Sequence, residues 1–401
     1  MDHTHTEVPI RKLVDYCSAN DWAGYDPYDA VNSRLFAMLP ILNSKWPRVI
    51  LTQALKRSPV NVRPWLGIPK TQNPKAIGIF LAAFVKLSRN QIEMRQDFVG
   101  LMLERLVALR ATNTDYWCWG YSFPWQTRSI VVPRGAPSLV CTTFVADALL
   151  DAYEQYREPE CLRMAVSAAE YLVDKLYWTN GSSISSFCYP LPTTPVQIHN
   201  ANFLAAALLG RVYALTSDSR FLDPALRVAR FSARAQKGDG SWMYGEADTQ
   251  QWVDNFHTGY NLCALKALGR ALKTDEFEQC VSRGFDFYRQ FFFREDGAPR
   301  YFHNKTFPID IHCVAQSIIT LSTFRDQGGD SLPLAGKVLG WSMKHMWDDR
   351  GFFYYQVCRT RTVKTSYMRW AQAWMLLALS TFVDESGQAR QPKPTDCAVV
   401  A

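Results

Sequence analysis

Five segments of the chain begin with a few polar residues and then run almost wholly apolar. They are "SLVCTTFVADALLDAY", "VQIHNANFLAAALLGRVYAL", "DNFHTGYNLCALKALGRAL", "PIDIHCVAQSIITLSTF" and "YMRWAQAWMLLALSTF". Anchored on Thr142, His199, His257, His312 and Arg369, they recur at intervals of 57, 58, 55 and 57 residues. A fixed period of this length across most of a chain marks one supersecondary unit repeated many times. A second series keeps the same beat. Turn glycines at Gly240 ("DGSWMY"), Gly297 ("DGAPRY") and Gly351 ("DDRGFFYY") recur at 57 and 54 residues and precede short aromatic segments that suggest β-hairpins or extended loops.

Amphipathic segments lie between the apolar ones, starting near Glu158, Asp218, Thr274 and Ser331, with charges on one face only. Each unit therefore predicts one buried helix followed by one half-exposed helix. Upstream, "NPKAIGIFLAAFVKL" (Asn73 to Leu87) and "QIEMRQDFVGLMLERLVALRA" form another such pair. The helix after Arg369 has no outer partner at the C-terminus, and the region from about Pro9 to Lys56 can supply it. Six inner and six outer helices closed head to tail make an all-α, (α/α)6 toroid with short β-hairpins or loops at the mouth of its funnel. The expected division is residues 1–20 as the N-terminal segment and start of the closing outer helix, 21–384 as the toroid, and 385–401 as a disordered tail.

Composition narrows the class. The 401 residues are 48% hydrophobic and 20% charged, which supports a large core and excludes global disorder. The net charge of +7 comes from scattered basic residues without a long run, so nucleic acid is not the expected partner; a basic cleft for an anionic small molecule or glycan fits as well. Ten cysteines with no C-x-x-C pair read as small core residues in a reducing compartment. The N-terminus "MDHTHTEVPIRKL" has no apolar signal region, and the most apolar stretches fall short of the roughly 20 residues of a membrane span, so a soluble cytoplasmic protein is expected. No G-x-G-x-x-G, P-loop, nucleophile elbow or H-E-x-x-H motif is present, so no cofactor and no metal is expected, although three histidines on three helices could hold a metal by residue type.

In such a toroid all inner helices point one way, and their N-terminal ends meet around one cavity whose positive helix ends favour an anion. In "WVDNFHTGYN", Asp254, His257, Thr258 and Asn261 share one helical face. His199, His257 and His312 are either caps and core residues or acid–base groups, and Asp254 can fix the tautomer of His257. Tyr244 is a further candidate proton carrier. Asn202, Asn255, Asn261 and Gln316 are either ties between helices or hydroxyl-binding groups. Arg369 is either a structural ion-pair partner or a carboxylate clamp. Trp117, Trp119, Tyr121, Trp125, Trp242, Tyr244, Tyr354 and Tyr355 are either sugar-stacking platforms or core packing. Asp26 and Asp29 either cap a helix or reach the funnel mouth, and Asp310 is a candidate carboxylate.

The hairpin repeat, with "WCWGY", "HNANFLAAALL", "DNFHTGYNLCALKAL" and "YDPYDAVNSRL", resembles the six-hairpin glycosidase superfamily over roughly residues 20 to 385. Within it, the chain looks like the bacterial VpsJ-like polysaccharide biosynthesis group. More distantly it is similar to glucuronyl C5-epimerases and N-acylglucosamine 2-epimerases. The latter use inner-helix histidines as acid and base, and His257 and His312 occupy comparable starts. The resemblance implies an enzyme of exopolysaccharide or capsule metabolism. The expected chemistry is histidine acid–base catalysis on a uronate-type glycan, as an epimerase or a lyase. The alternatives are a glycoside hydrolase drawing on Asp254, Asp310, Asp26 or Asp29, and a non-catalytic glycan-binding subunit. The expected partners are an oligo- or polysaccharide substrate and other polysaccharide biosynthesis proteins, with no membrane span.

Overall fold

A computed structural model describes residues 4–92, 94–181 and 183–388. The chain opens with α1 (Thr4–Ala19), α2 (Arg34–Met38) and α3 (Lys45–Arg57). It then alternates. The apolar segments form α4 (Pro74–Arg89), α6 (Leu139–Tyr156), α8 (His199–Thr216), α10 (Asn255–Leu272), α12 (Ile311–Thr323) and α14 (Trp374–Gln388). The amphipathic segments form α5 (Phe98–Ala108), α7 (Pro159–Tyr171), α9 (Leu222–Arg234), α11 (Glu278–Phe291) and α13 (Ser331–His345).

Each apolar helix packs between two others, and α14 returns to α4, so the inner ring is closed. The amphipathic helices back the ring one by one, and α1 lies on α14 as the sixth outer member. An inner helix buried against two neighbours and an outer partner keeps only a narrow strip toward the ring's interior, which is why its sequence is apolar almost all round. Among the described residues three inner helices start on side-chain caps, where Asn73, Asp254 and Asp310 accept the N–H of Lys75, His257 and His312. Three of them stop on a left-handed residue, Arg157, Ser217 and Lys273.

The turn glycines explain how units lock together. Gly240, Gly297 and Gly351 have φ of 92°, 86° and 93°. A Cβ on each would press on the backbone of Arg283, Lys337 and Lys12, on α11, α13 and α1 respectively. One position of the repeat thus tucks each turn against the next outer helix, and the third contact falls on the first helix of the chain. That contact joins the two ends of the sequence.

No helix among the described residues is long and apolar enough to cross a membrane. The nine described cysteines are free. Helix α14 reaches Gln388, so 385–388 are helical, and the rest of the expected tail lies outside the described residues.

Candidate functional site

The residue before each inner helix sets that helix's phase. These residues are Asn73, Ser138, Ile198, Asp254, Asp310 and, ahead of a π-turn (Met368–Ala373) leading into α14, Tyr367. Two positions on stand Lys75, Val140, Asn200, Phe256, His312 and Arg369. Six positions on stand Ile79, Phe144, Leu204, Tyr260 and Gln316; the π-turn takes one extra residue, and Trp374 fills the same layer in the last helix. This deeper layer faces a rear chamber of about 570 Å³ that also reaches Asp147, Asp151 and Arg211. The chemistry gathers on the other side, at the helix starts.

His257 is the most accessible imidazole of that end, with 21% of its side chain exposed. Its Nδ1 lies 2.7 Å from Oδ2 of Asp254, which is itself buried. The same oxygen accepts the indole N–H of Trp252 at 2.9 Å, and Oδ1 accepts the backbone N–H of His257 at 3.0 Å. The carboxylate therefore caps α10 and orients the ring at once. With Nδ1–H assigned as the donor to Asp254, Nε2 keeps its lone pair. The ring packs on Phe256 and Tyr244 at 4.1 and 4.6 Å, and Tyr244 stacks on Trp252 at 4.4 Å. Beside it runs a narrow crevice lined by Asn200, Thr258 and Asn261, in which the amide oxygens of Asn200 and Asn261 have no partner among the described residues.

His312 is different. It is buried, with Nδ1 3.3 Å from the carbonyl of Trp370 and Nε2 2.5 Å from the hydroxyl of Tyr260. The partners assign Nδ1–H as donor and Nε2 as acceptor of the tyrosine proton. Burial, followed by the charges of Lys75 and Arg369, holds its pKa well below the usual imidazole value, so it is neutral. Burial also pushes the Tyr260 phenol up.

Lys75 sits at the start of α4, across α14 from α12 in the ring. Its Nζ lies 4.2 Å from the ring centre of Phe144, 5.3 Å from Trp374 and 5.8 Å from Tyr260. It is buried, and among the described residues no carboxylate pairs with it. Burial and then Arg369 draw its pKa well below the ordinary lysine value. Its charged form is favoured by these ring faces and, from further off, by Asp26.

Arg369 is already engaged. Nε and Nη2 meet the two carboxylate oxygens of Asp26 at 2.6 and 2.8 Å, both groups are buried, and the guanidinium lies 4.6 Å from the ring of Tyr121. Of the two readings of Arg369, this geometry is that of the structural ion pair, tying the last inner helix to the N-terminal region. Asp29 is likewise held by Arg63 at 2.7 Å, and burial pushes its carboxyl up to about 6.

Several other candidates are likewise held by protein partners. His199 turns to the outer ring, with Nδ1 3.2 Å from the hydroxyl of Ser232 and Nε2 2.9 Å from Glu246; burial lowers its pKa. Asn202 ties α8 to Ser232, Ser186 and the backbone of Phe187. Asn255 ties α10 to Tyr288 and Ser317. Gln316 bonds Thr320 and belongs to the rear chamber. Asp310 caps α12, accepts the indole of Trp370 at 2.8 Å and the amide of Gln356 at 3.2 Å, and burial pushes it up to about 6. Trp119 and Trp242 are buried with their indoles on the carbonyls of Leu106 and Ser232, and Tyr355 is buried edge-on to Tyr367. Trp117 is wedged by Arg110 and Arg163, and Tyr354 bonds Asp348. These aromatic groups are packed against protein partners.

A different aromatic set lines the helix starts. Tyr121, Tyr189, Tyr244 and Tyr301 keep accessible surface, yet burial pushes every one of their phenols up, that of Tyr189 to about 12. Side chains that touch solvent but are surrounded by protein lie deep in a cleft. Trp125 continues this wall, 5.9 Å from Tyr121, and Tyr28 joins it 5.5 Å from Trp370. Lys75, Tyr28, Tyr189 and Tyr260 were missed at the level of sequence. Counting from the helix cap finds Lys75 and Tyr260; no local signal marks the two loop tyrosines.

No family model and no curated protein matches the sequence. Solved structures do. Cellobiose 2-epimerase from Bacillus thermoamylovorans B4167 superposes with a TM-score of 0.62 at 11% identity, over 80% of this chain and 90% of that one. An unsaturated glucuronyl hydrolase specific for heparin gives 0.60 at 12% identity, over 96% and 97%. A GH76 α-mannanase from Bacteroides thetaiotaomicron gives 0.59 at 13%, over 79% and 87%. At these identities the likeness is one of fold: the chain has the (α/α)6 toroid that these solved structures share.

Proposed function

We propose that the protein is a carbohydrate-active enzyme that moves a proton at a sugar carbon, with His257 as the base. The observation that carries this reading is the Asp254–His257 pair. A buried carboxylate fixes the ring, the free nitrogen stays accessible, and tyrosines suited to hydroxyl and ring contacts surround it. An imidazole is a base near neutral pH without further help. Tyr244 packs on His257, and its raised phenol pKa keeps it protonated, so it can hand a proton to a sugar oxygen. The Tyr260–His312 pair is the buried alternative for the second proton. His312 reaches the site only through Tyr260.

The uronate-type substrate expected from the sequence loses Arg369 as its anchor, because Asp26 neutralises that residue. Lys75, a buried amine with no paired carboxylate among the described residues, is the group that offsets charge on a substrate carboxylate or enolate when that anion binds and favours its protonated form. Hydrolysis by a carboxylate pair is less well supported: Asp254, Asp310, Asp26 and Asp29 each already accept hydrogen bonds from two or more protein groups. Work on an exopolysaccharide or capsule glycan fits the same chemistry.

The test is solvent deuterium incorporation into uronate and neutral oligosaccharides, with mass detection of epimerised and unsaturated products. Exchange that disappears in His257→Ala supports the reading. Full exchange in that variant removes His257 from the role, and saccharide binding without any exchange in the native protein makes it a binding subunit.

A further inference from the structure

One stretch of the surface is unlike the rest. Among the described residues eleven large apolar side chains are exposed, and seven of them come from residues 38–65: Met38, Leu39, Ile41, Trp46, Ile50, Val60 and Trp65. Ile41 is 87% exposed, Trp65 81% and Trp46 68%. On α3 the buried residues are Thr52 and Leu55, while Trp46, Ile50, Ala54 and Arg57 follow one another along the opposite, outward side. A soluble surface rarely concentrates large apolar groups in this way without a use.

Charge singles out the same stretch. Residues 31–70 hold seven basic residues, Arg34, Lys45, Arg48, Lys56, Arg57, Arg63 and Lys70, and no acidic one. The protein has 44 basic and 37 acidic residues; removing these seven leaves 37 of each. The entire net charge of +7 therefore resides in forty residues. Only Arg63 of the seven is buried, where it is paired with Asp29.

We infer that residues 38–65 dock the protein on an anionic lipid surface, α3 lying in the plane of the interface with Trp46, Ile50 and Trp65 at headgroup depth. Aliphatic groups that project fully into water gain by entering the acyl boundary, tryptophan prefers the interface, and the surrounding lysines and arginines meet anionic headgroups. Nucleic acid would satisfy the charge but give Met38, Ile41 and Ile50 nothing apolar to enter. The element also touches the cleft: Lys56 Nζ donates to the hydroxyl of Tyr28 at 3.1 Å. Docking would hold the mouth of the cleft at the membrane.

The test is co-sedimentation of the whole protein with vesicles of phosphatidylcholine alone and of equal parts phosphatidylcholine and phosphatidylglycerol, at low and high salt. Binding is expected to be at least about ten-fold tighter to the anionic vesicles and to weaken with salt. Lys45→Glu with Arg57→Glu is expected to lower it about ten-fold, and Trp46→Ser with Trp65→Ser to abolish quenching of tryptophan emission by brominated lipid. These side chains are exposed, so unchanged circular dichroism should accompany the loss. Equal sedimentation with both vesicle types, or none with either, overturns the inference. So does a dimer that dissolves in the Trp46→Ser, Trp65→Ser variant while vesicles bind neither form.

Discussion

The starts of α8 and α10 look interchangeable in sequence and do opposite things. Both place a histidine and two asparagines before an apolar run, one repeat apart. Yet His199 is the first residue after its cap, whereas His257 is the third after Asp254. At about 100° per residue, two positions turn a side chain through about 200°. His199 therefore points to the outer ring, where Ser232 and Glu246 hold it, and His257 points to the cleft beside its own cap. His312, second after Asp310, falls between them and is sealed under Trp370. A repeat in sequence fixes which helix end a residue occupies. The phase against the cap fixes which way it faces.

The sharpest way to break this comparison is to truncate both histidines. His257→Ala is expected to lower proton exchange at the sugar carbon by about 10²–10⁴ while leaving urea stability within about 1 kcal/mol. His199→Ala should invert the pattern, with exchange rates within a few-fold of the native protein and a loss of about 1–3 kcal/mol from the unsatisfied Ser232 and the vacated space. If both variants lose exchange alike, the assignment of facing directions fails.

A finer cut separates the two tasks of Asp254. Asn is as good a helix cap as Asp, so Asp254→Asn should hold stability within about 1 kcal/mol. The neutral amide no longer stabilises a charged imidazole, so exchange should drop by less than in His257→Ala but measurably. A variant with normal exchange would show that the carboxylate serves the helix alone.

The smallest effect is in the pH dependence. The folded pKa of His199 lies below its unfolded value of about 6.5, because burial penalises the imidazolium. The unfolded chain then binds the proton more readily. Stability from this group is present above about pH 6.5 and is lost as pH falls through the folded value. His312 acts in the same direction. Asp29 and Asp310, raised to about 6, act the other way, their contribution fading as pH rises through that value. Urea midpoints at about pH 7.5 and 5.5 should therefore differ less in His199→Asn than in the native protein. An unchanged difference would mean that His199 accepts a proton in place.

How much of this was legible follows the same line. The ring could be read because burial on three sides leaves an unmistakable apolar run, and because the turn glycines recur where a side chain would strike the next outer helix. The Asp254–His257 pair could be read because it is local: cap, first turn and partner lie within four residues. Arg369 could not be assigned, since its partner Asp26 lies 343 positions away and only closure of the ring brings them together. The tryptophans misled because an indole on a buried carbonyl and an indole in a cleft have the same sequence surroundings, as Trp119 and Trp125 illustrate.

The chain by itself thus determined the helices, their alternation, the ring and the end at which its polar residues gather, because each rests on periodicity and on capping within one turn. Which of those residues are spent on each other and which remain free was decided only in three dimensions. Asp26 neutralises Arg369, Ser232 and Glu246 claim His199, and Lys75 is left among rings with no carboxylate paired to it among the described residues. Pairing depends on distance and direction between elements far apart in sequence, and no local pattern encodes that.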